Sequence, residues 1–217
     1  MKRFIVVGLG LFGSEVARSL FAEGHEVIAV DNDPRLVDEI APHVTHAAVA
    51  DALEPASLEA LGAKECDVGV ISIGTDVGSS VLITLALRDL GIREIYAKVT
   101  SGSHARILEK LGATETVFPE KEAAQRLAER LSQPGILSAT PLAPGFSLRE
   151  IAVPEEFRGK SLRELELPRT HRIQVVAVRD LLADRLDHLP DPDAVLKDSD
   201  TLIVVGEEEA LDTLATE

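Results

Sequence analysis

The sequence predicts an α/β protein in two parts, a doubly wound parallel sheet followed by a smaller α+β domain. Three observations carry this. An apolar run at 2–7 leads directly into Gly8-Leu9-Gly10-Leu11-Phe12-Gly13 and then into helical periodicity. Strand-like and helix-like segments alternate through six strands before residue 133. The pattern then changes across a proline- and glycine-rich stretch at 134–145.

The opening segment has the order strand, G-x-G-x-x-G, helix, strand, acid, which is the context that gives a glycine motif meaning. Gly8 allows the sharp turn off the strand. Gly10, without a Cβ, lets a pyrophosphate approach the backbone. Gly13 lets the helix pack closely on the sheet. The helix start offers unpaired N–H groups and positive dipole charge to phosphates. Asp31 closes the second strand, where a carboxylate can accept hydrogen bonds from ribose hydroxyls, and Asn32 follows it. The motif has a bland alternative, a structural turn, and the agreement of the flanking elements favours a nucleotide.

Asp33-Pro34 predicts a helix N-cap with proline at the first helical position. A small-residue strand at 45–50 ends at Asp51-Ala52; Asp51 reads either as a turn residue or as a contact to adenine or ribose. A helix at 55–61 stops at Gly62. A fourth strand at 68–73 ends in Ile73-Gly74, with Gly74 either a turn glycine or a backbone edge against the nucleotide. Thr75 is read as the cap of a helix reaching Leu90, with Val81, Leu82, Leu85 and Ala86 on one face. Cys66, just before that strand, reads as a packing residue.

A fifth strand at 94–99 carries Lys98, either solvated or facing phosphate. A helix at 101–111 includes His104, read as a surface residue. A sixth strand at 115–118 leads into a helix at 119–131 with the apolar stripe Ala123, Ala124, Leu127, Ala128 and Leu131. That stripe packs either on the chain's own sheet or on a second subunit. The expected division is a nucleotide-binding domain at 1–133, a linker at 134–145 and a small α+β domain at 146–217. The last is read as a strand at 147–153, a short helix at 160–165, strands at 173–178 and 201–205, and a terminal helix at 207–214.

Composition bounds the function. The 217 residues are 45% hydrophobic but only 3% aromatic, so the core is aliphatic. A net charge of −15 disfavours nucleic acid and direct lipid binding, while leaving basic protein surfaces as partners. A single cysteine fits a reducing compartment. The start reads as a strand rather than a signal sequence, and no apolar run approaches the ~18 residues of a membrane span. The expectation is a cytoplasmic protein.

The combination of Gly-Leu-Gly-x-Phe-Gly at 8–13, Asp31, Asp51-Ala52, Ile73-Gly74, Lys98 and Pro-Glu-Lys at 119–121 resembles the KtrA/TrkA family. These are RCK regulatory subunits of bacterial potassium uptake systems. Arg158-Gly159-Lys160-Ser161-Leu162 and Asp198-Ser199-Asp200 look like that family's TrkA-C domain. The resemblance implies a Rossmann-like RCK-N domain followed by TrkA-C. It implies an adenine nucleotide, ATP/ADP or NAD(H), held by Gly8, Leu9, Gly10, Leu11, Phe12 and Gly13, by Asp31 and Asn32, by Asp51 and Ala52, by Ile73 and Gly74, and by Lys98. Glu120 matches a glutamate that helps place Mg or Ca at the nucleotide. The helix at 119–131 matches the helix exchanged between partners. A homo-oligomer, commonly an octameric ring of dimers, would sit at the inner face of the membrane under a pore-forming KtrB/TrkH-like subunit. Leu11 departs from the family pattern, which has arginine reaching the γ-phosphate at that position, and this shifts weight toward NAD(H).

The resulting reading is a non-enzymatic, nucleotide-gated regulator. The alternative is an NAD-dependent oxidoreductase, for which His171 and His188 are the only histidines beyond the linker. A redox-sensing repressor is the third reading and lacks a basic helix-turn-helix.

Overall fold

The computed structural model describes residues 1–74, 76–132 and 135–216. They pack as two units, Met1–Lys121 and Glu122–Glu217. The first unit runs β1 (Arg3–Val7), α1 (Leu11–Ala22), β2 (Glu26–Asp31), α2 (Pro34–Ile40), β3 (His46–Val49), α3 (Pro55–Ala60), β4 (Val68–Ile71), α4 (Val77–Asp89), β5 (Glu94–Lys98), α5 (Gly102–Lys110) and β6 (Glu115–Val117). Its six strands are all parallel, in the order β3-β2-β1-β4-β5-β6. The chain builds outward from β1 through β2 to β3, then returns to place β4 on the other side of β1.

The sheet is covered on both faces near its centre. Ile5, Val7, Ile28, Val30, Ile71 and Ile95 pack with Ile83 and Leu87 of α4 and Leu108 of α5. Val6, Val27, Ala29 and Val70 pack with Ala17 of α1 and Val37 and Ile40 of α2. All four residues of β4 are buried, which explains its unbroken apolar run. Leu87 is fully buried, and truncating it to alanine would cost about 2–5 kcal/mol.

The helix starts follow local chemistry. Asp33 accepts from Arg35 N–H ahead of Pro34, as the sequence predicts. The helix expected to begin at Thr75 is instead capped by Asp76, which accepts from Ser79 N–H; Thr75 itself lies outside the described residues. Of the apolar face expected on α4, Ala86 is buried and Val81 packs half-buried against the core, but the buried face as a whole is rotated from it. Ser80, Ile83, Thr84, Ala86 and Leu87 are buried, whereas Leu82 and Leu85 are exposed. Ser80 Oγ donates to Val77 O at 2.9 Å and Thr84 Oγ1 to Ser80 O at 2.7 Å, so both hydroxyls enter the core satisfied. A stripe drawn through apolar residues alone is therefore rotated from the buried one.

α6 (Pro119–Ser132) follows β6, and the unit boundary falls inside it. The second unit continues with β7 (Ile136–Ala143), β8 (Phe146–Ala152), α7 (Leu162–Leu165), α8 (Leu167–Thr170), β9 (Ile173–Asp180), β10 (Arg185–Asp187), β11 (Asp200–Glu207) and α9 (Glu208–Thr216). These strands form an antiparallel sheet in the order β10-β9-β11-β8-β7. Its core gathers Ile136, Ile151, Phe157, Leu202, Val204 and Leu211. The linker expected at 134–145 is thus largely a strand. β7 pairs with β8 along most of its length despite Pro141, because an edge strand can lose one N–H without breaking the ladder. The two units divide at Lys121/Glu122, inside α6, rather than at the expected residue 133. On α6, Ala123, Ala124, Leu127, Ala128 and Leu131 are all exposed.

Candidate nucleotide site at one edge of the parallel sheet

Because all six strands run the same way, their carboxyl ends share one edge. That register brings Gly8, Asp31, Asp51-Ala52, Ile73-Gly74 and Lys98 to the same side, around the crevice where β4 returns beside β1. Open α/β sheets bind ligands at such a reversal of strand order.

The three motif glycines have different reasons to be glycine. Gly8 has φ +94°, and a Cβ there would lie 3.0 Å from Ile73 Cγ1 and 3.1 Å from the Ser72 carbonyl carbon. A Cβ on Gly13 would lie 1.9 Å from Gly8 O, so α1 sits on β1 only if residue 13 has no side chain. Gly10 has an ordinary extended conformation, φ −63° and ψ −177°, and a Cβ there would meet nothing within 4 Å. The fold accounts for the first and third glycines and leaves the space over the second open.

Gly10 is also the N-cap of α1. Among the described residues no side chain caps this helix, and its first turn has no acidic residue. Ser14 N–H bonds back to Gly10 O at 2.9 Å, and Ser14 Oγ donates to Leu9 O at 2.7 Å, which fixes the turn from inside. The start of α1 thus presents amide donors at the open space.

Asp31 is tied to the same turn. Its Oδ2 accepts from Leu9 N–H at 2.6 Å and its Oδ1 from Asp33 N–H at 2.9 Å. The carboxylate therefore clamps the glycine turn to β2, a role that sequence reasoning missed. Each oxygen keeps a further lone pair for a ribose hydroxyl. Asn32 is exposed beside it, Asp51 is exposed and accepts from Leu53 N–H at 2.9 Å, and Ala52 is buried. Leu11, the first residue of α1, is 94% exposed. Phe12 instead lines an apolar groove of about 330 Å³ on the α1 face of the sheet, with Val16, Leu20, Val70, Tyr96 and Val117.

At the other end of the edge, Lys98 Nζ lies 2.6 Å from Glu120 Oε1, pairing the residue expected at phosphate with the residue expected at a cation. This hydrogen bond holds the Glu120 carboxyl below its ordinary range. The Lys98 stem lies over Gly74, where a Cβ would be 3.3 Å from Lys98 Cε. Among the described residues no group of three or more acidic, histidine or cysteine side chains could hold a metal ion. A lone carboxylate fits a cation carried in by phosphates and water, as Mg²⁺ commonly is.

His104 corrects another expectation. It is 1% exposed, with Nε2 2.6 Å from Ser80 Oγ, while Nδ1 is buried without a partner. Burial lowers its pKa. The available signal is helical spacing, which sets residue 104 on the face of Ala105 and Leu108. Cys66 is buried as expected, and burial pushes its thiol up to about 11.

A doubly wound unit with a glycine-motif crevice, joined to a small antiparallel unit, defines a class of nucleotide-site protein. Comparison with known proteins gives the family. Residues 4–119 match the TrkA-N domain and residues 148–217 the TrkA-C domain. Ktr system potassium uptake protein A of Bacillus subtilis (strain 168) is 31% identical over 94% of this chain and 91% of its own length. Protein C of that organism's Ktr system is 33% identical over 94% and 92%, and protein A of Vibrio alginolyticus 32% over 97% and 94%. The chain belongs to the Ktr/Trk potassium uptake protein family. Among solved structures, the GsuK RCK domain superposes with a TM-score of 0.67 at 17% identity, covering all of this chain and 48% of that one. The GsuK channel bound to NAD superposes at 0.63 and 16% identity, covering all of this chain and 40% of that one. This chain spans less than half of those chains, and the likeness is one of fold. No helix among the described residues is long and apolar enough to cross a membrane.

Proposed function

We propose that this chain is a non-enzymatic, nucleotide-gated regulatory subunit of a potassium uptake system, working at the inner face of the membrane on a pore-forming KtrB/TrkH-like partner. The observation that carries the nucleotide is the open space over Gly10, set between two glycines that the fold itself requires. Family membership carries potassium uptake. In this reading the α1 amides and Gly10 receive the phosphates, and Asp31 with Asn32 receives ribose. Asp51 and Ala52 flank adenine, Ile73 and Gly74 form a wall, and Lys98 meets phosphate. Glu120 would supply the protein ligand to a Mg²⁺ or Ca²⁺ ion carried in with the nucleotide. Leu11 offers no charge to a third phosphate, which favours NAD(H) or equal use of ATP and ADP.

Gating requires the nucleotide to bind two shapes of the assembly unequally; a tenfold difference shifts their balance by about 1.4 kcal/mol. The assembly we propose is a homo-oligomer built on dimers, an octameric ring in the family's manner. In each dimer the exposed α6 stripe of one copy covers the apolar groove at Phe12, Val70 and Tyr96 of its partner. Neither the relatives nor the site geometry favours the oxidoreductase reading.

Potassium flux into liposomes holding the pore-forming partner tests the function. Added protein should make flux depend on ATP, ADP or NADH, and Gly10→Val should abolish that dependence. Flux indifferent to the protein under every nucleotide would refute it.

A further inference from the structure

We propose that the Lys98–Glu120 ion pair is a latch that a bound nucleotide opens, coupling the phosphate end of the crevice to the first turn of α6. This rests on the nucleotide reading above and adds a mode of regulation to it. Contacts run without a break from the glycine turn to that helix. Gly8 lies against Ser72 and Ile73, Gly74 follows them and supports the Lys98 stem, and Lys98 Nζ reaches Glu120 Oε1 at 2.6 Å. The two partners are unequally placed. The Lys98 side chain is 18% exposed and held over Gly74, whereas Glu120 is 70% exposed. The lysine is therefore the fixed member and the glutamate the one free to leave. Glu120 is the second residue of α6, just ahead of the boundary between the two units at Lys121/Glu122.

A phosphate entering the crevice competes with Glu120 for the single Lys98 ammonium. When phosphate takes it, Glu120 is left without its cation and α6 loses the ion pair that ties its first turn to β5. Conversely, the pair weakens nucleotide binding by occupying Lys98 beforehand. The pair is partly solvated, so the effect is modest, about two- to fivefold in affinity.

The test is calorimetry of the full chain with ATP and with NADH in EDTA, which keeps cations from masking the competition. Glu120→Gln should bind about two- to fivefold more tightly than wild type, and Lys98→Gln about tenfold more weakly. The double variant should match Lys98→Gln, because Glu120 acts only through Lys98. In parallel, hydrogen exchange at the amides of 122–126 should quicken when nucleotide is added to wild type, and should already be quick in free Glu120→Gln. Wild type that binds nucleotide while Glu120→Gln binds equally or less well in EDTA overturns the latch. So does exchange in α6 that nucleotide leaves unchanged or slows. Wild type that binds neither ATP nor NADH overturns the nucleotide reading itself, and the latch with it.

Discussion

A Cβ on Gly13 would lie 1.9 Å from the carbonyl oxygen of Gly8, so helix α1 rests against the end of strand β1 only because residue 13 lacks a side chain. Gly10, between them, faces no such constraint. The two kinds of glycine predict two kinds of variant. Gly13→Ala should destabilise the fold by about 3 kcal/mol, since backbone must move to make room. Gly10→Ala should cost at most about 1 kcal/mol, the difference between glycine and alanine at an N-cap. Urea denaturation of both variants measures this, and equal losses would contradict it.

Asp31 should matter to the fold as well as to a ligand. It accepts Leu9 N–H at 2.6 Å and Asp33 N–H at 2.9 Å, and both bonds are charge-assisted. Asp31→Ala should lower stability by about 2–4 kcal/mol in the absence of any nucleotide. Asp31→Asn, which keeps one acceptor oxygen, should lose less. Denaturation midpoints that do not move in either variant would remove the clamp.

His104 predicts a pH dependence. Burial holds its imidazole below the ordinary value of 6.5, while the unfolded chain titrates near that value. Between the two values the unfolded chain binds a proton that the folded chain does not, so stability rises with pH there. The contribution is therefore full above about pH 6.5 and is lost as the pH falls toward the lowered value. Thermal melts of wild type should drop between pH 7.5 and 5.5, and His104→Gln, which can still bond Ser80, should drop less. Parallel curves would contradict this.

The α6 stripe predicts assembly. Leu127 is 45% exposed and Leu131 72% exposed, on a helix whose apolar residues share one side. Wild type should sediment as an oligomer at micromolar concentration. Leu127→Glu should reduce it, because a charge would be buried without a partner. A monomeric wild type would contradict the proposal.

The first unit was legible because its signals are local. The glycine motif, Asp33-Pro34 and the unbroken apolar run of β4 each announce their own geometry. What escaped depends on satisfaction or on topology. Ser80 and Thr84 are buried because their hydroxyls bond within α4, which an apolar count cannot register. β7 was hidden by Pro141, harmless only because the strand lies at an edge. The Asp31–Leu9 and Lys98–Glu120 contacts join residues 22 apart in sequence, and only the strand register brings each pair together.

Calorimetric titration of the full chain with ATP, ADP and NADH, for wild type and for Gly10→Val, tests the central claim most directly. A valine side chain would fill the space over the α1 amides without meeting any protein atom at its Cβ. Wild type should bind at least one of the three nucleotides, and Gly10→Val, with its melting temperature close to wild type, should bind none. Binding that survives Gly10→Val undiminished, or a wild type that binds no nucleotide at all, would contradict the account.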